Sequence, residues 1–319
     1  MKYARDLAPS LTNEQLGEQL YETLPWVKSI TGKTVVIKYG GAAMVDADLR
    51  EKVMGDILLL KIIGARVVIV HGGGAAINEA LGHYDLPVEF KGGQRVTTPE
   101  AMEIVREVLV GKVNQELVAA LNKHGAVAVG VSGSDGGTIL AEQLDPELGR
   151  VGKVCQVNTD YLETLLENDY IPVVATVAQG TDGGFFNINA DLAAGHIAAA
   201  IHAHKAIFLT DVDGLYADFA DKTSLISNLT LDETEGLLRA GEVSKGMIPK
   251  LEACVTALKG GVYRAHIING TTPHSLLVEL FTSTGVGTVM HSTLESYEFD
   301  QHPHPVGAFA ARLVETEEW

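Results

Sequence analysis

The chain is nearly devoid of cysteine. Only Cys155 and Cys254 carry a thiol, too few for a disulfide framework and too isolated for a structural zinc site. Both stand among apolar neighbours, which predicts buried thiols. Long apolar runs are missing as well: nothing approaches the roughly 20 residues a membrane helix needs. The start, Met1-Lys2-Tyr3-Ala4-Arg5-Asp6, lacks the apolar stretch of a secretory signal. A cytoplasmic protein without a membrane partner is expected. Basic residues are scarce, 24 Lys and Arg against 41 Asp and Glu, for a formal charge of −17. That field opposes binding to nucleic acid or to an anionic membrane surface. A site for an anionic small molecule must then be locally basic, so each lysine or arginine beside a glycine loop gains weight. No Ser-His-Asp set, metal-ligand spacing, paired glutamates, internal repeat or low-complexity stretch is present. Aromatics make up only 6%, yet the 319 residues are 46% hydrophobic, enough for one large α/β domain or two lobes.

What is present is alternation. Thr12 and Gln15 can form a capping box ahead of Leu16, Leu20 and Leu24, whose spacing predicts an amphipathic helix that Pro25 disturbs. A β-branched strand over 33–39 ends in Gly40-Gly41, and Leu49, Val53, Ile57 and Leu60 mark the next helix. A second strand, 66–70, runs into His71-Gly72-Gly73-Gly74 and a short helix through Leu81. Strand, glycine, helix, twice over, predicts parallel strands with helices on both faces and ligands at the strand C-terminal ends. Thr98-Pro99 opens a helix that should end near His124-Gly125. Strands are expected at 126–131, 153–157 and 171–177, followed by a hairpin turn at 181–184. Then come a helix from Ala190 to about His204, a strand at 206–209, a capping box at Thr230-Glu233, a helix opened by Pro249 and strands at 263–268 and 287–290. Beyond 290 the chain turns acidic and His/Pro-containing, without pattern.

Four places could carry chemistry. Asn187-Ile188-Asn189-Ala190-Asp191 crowds two amides and a carboxylate into a helix start, which is either an elaborate cap or a site. Lys38, one residue from the end of an apolar strand, is either a solvated edge lysine or, with the bare amides of Gly40-Gly41, part of a phosphate site. The triple glycine after His71 is neither a Walker loop nor a dinucleotide fingerprint, because Ile77 stands where the third glycine belongs. It suits backbone binding of an anion at a helix N-terminus, with His71 structural rather than catalytic. Lys250 lies in the first turn of the helix opened by Pro249, where a cation opposes the macrodipole by ~0.3–1 kcal/mol unless it faces an anion. Arg95, in a glycine-bordered hairpin, suits a bidentate carboxylate contact. Two lysines from different halves, glycine amides and an arginine fit phosphoryl transfer, which asks for positioning and charge compensation rather than covalent chemistry.

The motifs Val-Ile-Lys38-Tyr-Gly-Gly, Val-His-Gly-Gly-Gly74, Gly-Gly-Gln-Arg95-Val-Thr, Asn187-Ile-Asn-Ala-Asp191, Leu-Thr-Asp-Val-Asp-Gly214 and Gly-Met-Ile-Pro-Lys250 stand in the order of the amino acid kinase family. From about Leu24 to Met290 the chain resembles that family, and most nearly its arginine-inhibited, hexameric acetylglutamate-phosphorylating branch. The resemblance implies an open αβα sandwich with a largely parallel central sheet. It implies a helix at 1–30 contacting another dimer, a lobe at 31–177 binding N-acetyl-L-glutamate, a lobe at 178–290 binding ATP with Mg²⁺, and a tail at 291–319 without a counterpart. By that analogy Lys38 and Lys250 stabilise the moving phosphoryl, Asp191 holds both lysines and Gly41 donates an amide. Gly73, Gly74, Arg95 and Asn187 would bind the acyl amino acid. Thr210, Asp211, Gly214, Leu215, Tyr216 and Met247 would line the nucleotide site. Trp26, His266, Glu279 and Gly285 match positions near bound arginine. No protein-held metal is implied; the ion travels with the nucleotide, and the assembly is a homo-oligomeric trimer of dimers. Trp26 replaces a usual tyrosine and Ala75 a usual proline. A kinase for a related acidic amino acid, or a catalytically idle arginine-sensing or scaffold protein on the same fold, is the alternative; retention of both lysines and Asp191 argues against the idle form.

Overall fold

The computed structural model describes residues 12–292 apart from Val45, His124 and Glu242; most of the 291–319 tail therefore lies outside the described residues. The capping box forms as expected, Thr12 N–H donating to Gln15 Oε1 at 2.8 Å and Gln15 N–H to Thr12 Oγ1 at 3.2 Å. It starts α1 (Asn13–Glu22), and Pro25 falls at the start of a separate α2 (Leu24–Ile30). There follow β1 (Thr34–Tyr39), α3 (Ala47–Ile62), β2 (Arg66–His71), α4 (Gly74–His83) and the hairpin β3 (Phe90–Lys91) and β4 (Gln94–Arg95). Next come α5 (Pro99–Arg106), a π-helical segment (Glu107–Asn114), α6 (Gln115–Asn122), β5 (Ala128–Ser132), β6 (Ile139–Gln143), β7 (Gly152–Val157), α7 (Asp160–Glu167) and β8 (Ile171–Ala175). The chain continues through β9 (Val177–Gly180), β10 (Phe185–Asn187), α8 (Ala190–Ala200), β11 (Lys205–Thr210), β12 (Leu215–Tyr216), β13 (Leu225–Ile226) and β14 (Asn228–Thr230). It ends in α9 (Leu231–Ala240), α10 (Ile248–Lys259), β15 (Arg264–Asn269), α11 (Ser275–Phe281) and β16 (Thr288–His291).

The main sheet has eight strands in the order β14-β16-β15-β11-β1-β2-β8-β5, and all its pairings but β15 with β16 are parallel. Strands from the two halves of the chain meet at β1 and β11, so Lys38 lies on a central strand rather than an edge. Alternation along β1 then decides its direction. Val35, Ile37 and Tyr39 pack with Val53 and Ile57 of α3, whereas Val36 packs with Ala194 and Ile197 of α8. Lys38 shares the Val36 face, towards α8, where Asp191 stands. Helices α8 and α10 approach closely because seven of the eleven residues of α8 are alanine or glycine. A Cβ on Gly195 would sit 2.5 Å from the Ala253 carbonyl oxygen, so a glycine is needed there for α10 to bring Lys250 alongside.

Some expectations are revised. Cys155 is exposed, and only Cys254 is buried: β7 alternates, with Val154 facing in and Lys153 and Cys155 facing out. The expected strand at 171–177 is two strands, broken at Thr176 where the chain leaves the main sheet. Strand β6 was not anticipated; it joins β7, β9 and β10 in a second, mixed four-stranded sheet. Helix α8 stops at Ala200, short of His204, because His202 takes a left-handed φ of 49° that turns the chain into β11. The helix from Pro99 runs as one rod to Asn122, but its middle is π-helical.

Candidate active site

The centre of the site is a carboxylate held by two ammonium groups. Asp191, in the first turn of α8, is capped by Asn189, whose Oδ1 accepts the Asp191 and Leu192 N–H groups at 2.9 and 3.2 Å. With that local job taken, the Asp191 side chain is free to face the lysines. Lys38 Nζ lies 3.0 Å from Oδ1, and Lys250 Nζ donates to Oδ2 at 3.4 Å and to the Gly246 carbonyl at 3.3 Å. Burial alone would raise the Asp191 pKa, but Lys38 and then Lys250 outweigh it and hold the carboxyl below its usual range. The Asp191 carboxyl is therefore ionised at neutral pH, and one carboxylate shared by two lysines leaves the group with a formal positive charge.

Beside it opens a cavity of about 750 Å³ whose lining includes Lys38, Gly73, Gly74, Arg95, Asn187 and Asp191, within the size range of small-molecule sites. Gly41, with φ 75°, lines it as well. Helix α4 begins at Gly74 with no side-chain cap, so its first N–H groups and positive dipole end are available to an anion. Arg95 is buried, donates through Nη2 to the Gly74 carbonyl at 3.2 Å and lies 4.8 Å over the Phe90 ring, while its Nη1 is without a hydrogen-bond partner. A buried guanidinium edge without an acceptor is prepared for a carboxylate. Asn187 Nδ2 donates to Thr97 Oγ1 at 3.2 Å, which leaves its carbonyl oxygen for a ligand. Thr97, buried between Arg95 and Asn187, escaped sequence reasoning; its place in the Arg-Val-Thr motif was the available signal.

The residues expected at the nucleotide are gathered elsewhere on the same sheet edge. Lys38 is in register with Phe208 of β11, so Thr210, two residues further, ends at that edge. Thr210 Oγ1 donates to Asp211 Oδ1 at 3.1 Å, and Asp213 accepts from Asn269 Nδ2 at 2.8 Å and from the Tyr216 hydroxyl at 2.5 Å. Lys222 Nζ sits 4.4 Å over Tyr216 and 3.6 Å over Phe219. Gly214 closes the turn into β12. The side chains of Leu215 and Met247 are buried in the apolar core. Asp213 belongs to the Leu-Thr-Asp-Val-Asp-Gly214 motif expected here, whereas Asn269 was not anticipated as its partner.

Of the set expected near arginine, His266, Glu279 and Gly285 come together. His266 of β15 lies 2.7 Å from Glu279 Oε1 of α11, and Glu279 Oε2 accepts the N–H groups of Val286 and Gly287 at 2.7 and 3.1 Å. Burial, reinforced by Lys205, lowers the His266 pKa. Burial would raise that of Glu279, but His266 and the two amides bring it down. A neutral imidazole donating Nδ1–H to a carboxylate results. A Cβ on Gly285 would lie 2.7 Å from Glu279 Oε2. Trp26, half-buried against the core, comes in on α2, which packs against α11.

An open, largely parallel sheet with one lysine near the end of a central strand, a second lysine and a shared carboxylate in the first turns of two helices, and an uncapped helix start defines a phosphoryl-transferring α/β enzyme. The chain belongs to the amino acid kinase family, whose pattern matches residues 33–269. It is 49% identical over 273 residues to the acetylglutamate kinase of Caldanaerobacter subterraneus subsp. tengcongensis, covering 85% of this chain and 91% of that one. It is 45% identical to the acetylglutamate kinase of Corynebacterium glutamicum, over 95% and 96% of the two chains. Among solved structures, the N-acetylglutamate synthase of Neisseria gonorrhoeae complexed with coenzyme A and N-acetyl-glutamate superposes with a TM-score of 0.76 at 25% identity. That match covers 87% of this chain and spans 63% of the synthase. Carbamate kinase from Giardia lamblia, at 18% identity and a TM-score of 0.62 over 82% of this chain and 99% of its own, shares the fold.

Proposed function

We propose that the protein transfers the γ-phosphoryl group of ATP to the γ-carboxylate of N-acetyl-L-glutamate, forming N-acetyl-L-glutamyl 5-phosphate and ADP for arginine biosynthesis. The observation that carries this is the Lys38–Asp191–Lys250 trio, of which Lys38 and Asp191 line the cavity. A substrate carboxylate oxygen attacks the γ-phosphorus, and the bond from that phosphorus to the β–γ bridging oxygen breaks, its electron pair leaving with ADP. The nucleophile is already ionised at neutral pH, so no general base is needed. Lys38 and Lys250 neutralise charge on the moving phosphoryl and Asp191 fixes their spacing. The amides of Gly41 and Gly73 add donors. Gly74, Arg95 and Asn187 hold the acyl amino acid, Arg95 on a carboxylate. Thr210, Asp211, Gly214, Leu215, Tyr216 and Met247 form the nucleotide site, and Mg²⁺ arrives as part of the MgATP substrate.

The finer reading extends to organisation and control. The 31–177 lobe takes the amino acid and the 178–290 lobe the nucleotide; the 1–30 segment joins dimers into a trimer of dimers in the cytoplasm. Trp26, His266, Glu279 and Gly285 bind arginine as feedback inhibitor. Support comes from the exposed apolar residues Leu16, Leu20 and Tyr21 on α1 and from the His266–Glu279 pair. The test is ADP release by purified protein offered N-acetylglutamate, glutamate, aspartate, carbamate or uridylate, with and without arginine. Turnover of N-acetylglutamate alone, reduced by arginine, is expected; turnover only with another acceptor, or with none, overturns the reading.

A further inference from the structure

His71 and Asn114 have no part in the reaction just described, yet both are fully buried beside the glycine loop. His71 Nδ1 lies 3.0 Å from the Gly72 carbonyl oxygen, and Nε2 lies 3.0 Å from Asn114 Nδ2. Asn114 Nδ2 also donates to the Val173 carbonyl at 2.7 Å, which identifies that end of the side chain as the NH₂ group. A carbonyl can only accept and an NH₂ group only donates. One imidazole form satisfies both neighbours: neutral, with the proton on Nδ1 donated to Gly72 and Nε2 accepting from Asn114. Burial, which pushes the ring's pKa down to about 4, keeps it neutral.

The Gly72 carbonyl and the Gly73 N–H belong to one planar trans peptide, so they point in opposite directions. Holding the carbonyl sets the direction of the N–H, and Gly73 lines the cavity. Unusual local structure serves this one contact. Asn114 is the last residue of the π-helical segment, a form that is rare and concentrated at functional sites. Opposite it, a Cβ on Gly130 would fall 2.1 Å from Asn114 Oδ1, so only glycine leaves room for the amide.

We propose that His71 and Asn114 form a positioning pair for the Gly73 amide: Asn114 selects the imidazole tautomer, and the Nδ1–H of His71 orients the peptide that carries the amide. The inference rests on the phosphoryl-transfer reading, because the amide's direction matters to rate only if an anion meets it. Two measurements on the full chain decide it. Long-range ¹H–¹⁵N NMR of ligand-free wild type at pH 7 should show His71 as the Nδ1–H tautomer; an Nε2–H tautomer or an imidazolium overturns the proposal whatever the activity. In steady-state assays Asn114→Leu and His71→Phe should lower kcat by about 10- to 100-fold with the KM for ATP unchanged. His71→Asn, whose NH₂ can replace the Nδ1–H donor, should keep most of kcat. Equal kcat in His71→Asn and His71→Phe, or a wild-type kcat in Asn114→Leu, sinks it. Should the variants fail to fold, the wild-type tautomer still decides. Absence of turnover in the wild type would count against the reaction, not against the tautomer.

Discussion

Lys38 and Asp191 are joined at 3.0 Å with side chains only 10% and 8% exposed, although they come from a central strand of one half of the chain and a helix of the other. A pair this dry is held by Coulomb attraction that water screens little. Lys250 shares the same carboxylate. Lys38→Met keeps the aliphatic stem and removes the charge, so its cost in folding should be moderate, about 1–3 kcal/mol, because Lys250 still pairs Asp191. Its cost in kcat should be about 100-fold or more, the typical loss for a donor aimed at developing charge. Thermal unfolding and turnover of one preparation check both; a stable variant with kcat within a few-fold of wild type removes Lys38 from the reaction.

Asp191 makes a pH prediction with a definite sign. Its carboxyl is held below the usual range, so the unfolded chain binds the proton more tightly than the native one. The stabilisation is complete above the ordinary aspartate pKa of about 3.9 and is lost as the pH falls through the lower native value. The gap in unfolding free energy between wild type and Asp191→Asn should therefore be constant from pH 8 to 5 and narrow only in strong acid. A gap that begins to close near pH 6 would mean that the carboxyl is not depressed.

Which parts of this site the sequence disclosed follows from the range of the forces involved. Strands β1 and β2, their glycine ends and the caps at Thr12, Thr98 and Thr230 are local effects of propensity and side-chain hydrogen bonding, and all stand where expected. So does Asn189, which caps α8 and frees Asp191. The four-stranded second sheet was not legible, because β6 is a short stretch that is a strand only by pairing with β7 and β9. Residues 107–114, Glu-Val-Leu-Val-Gly-Lys-Val-Asn, read as ordinary helix; their π-helical form suits the placing of Asn114 on His71, a contact 43 residues away. Cys155 misled because its neighbours are apolar in sequence but alternate across β7.

Arg95 bears on substrate affinity. Its guanidinium is buried, half satisfied by Gly74, with Nη1 unpaired, and lysine cannot reproduce a two-pronged contact. Arg95→Lys should raise the KM for N-acetylglutamate by about tenfold or more, the worth of one hydrogen bond to a charged group. The KM for ATP should stay unchanged. Equal effects on both would place Arg95 in lobe positioning instead of substrate binding.

Helix α1 has no buried residue, and Leu20 and Tyr21 are 65% and 62% exposed. An amphipathic helix with its apolar side in water is better explained by a second copy of the chain than by its own domain. Deleting residues 1–22 should reduce a hexamer to dimers by light scattering while leaving basal turnover intact. A truncated protein of unchanged mass breaks the assignment.

Gly285 separates inhibition from catalysis. Its φ of 59° is left-handed, and a Cβ there would lie 2.7 Å from Glu279 Oε2. Alanine would pay about 1–2 kcal/mol for the backbone and would also push the carboxylate off the N–H groups of Val286 and Gly287. Glu279 holds His266 at the same time, so the displacement reorganises the whole cluster, and none of these residues lies among Lys38, Asp191 and Lys250. If the cluster binds arginine, Gly285→Ala should keep kcat without arginine near the wild-type value and lose the inhibition. It should also lose the rise in melting temperature that a ligand bound to the native state must produce. Wild type that responds to arginine alongside a Gly285→Ala variant responding equally would move the arginine site elsewhere.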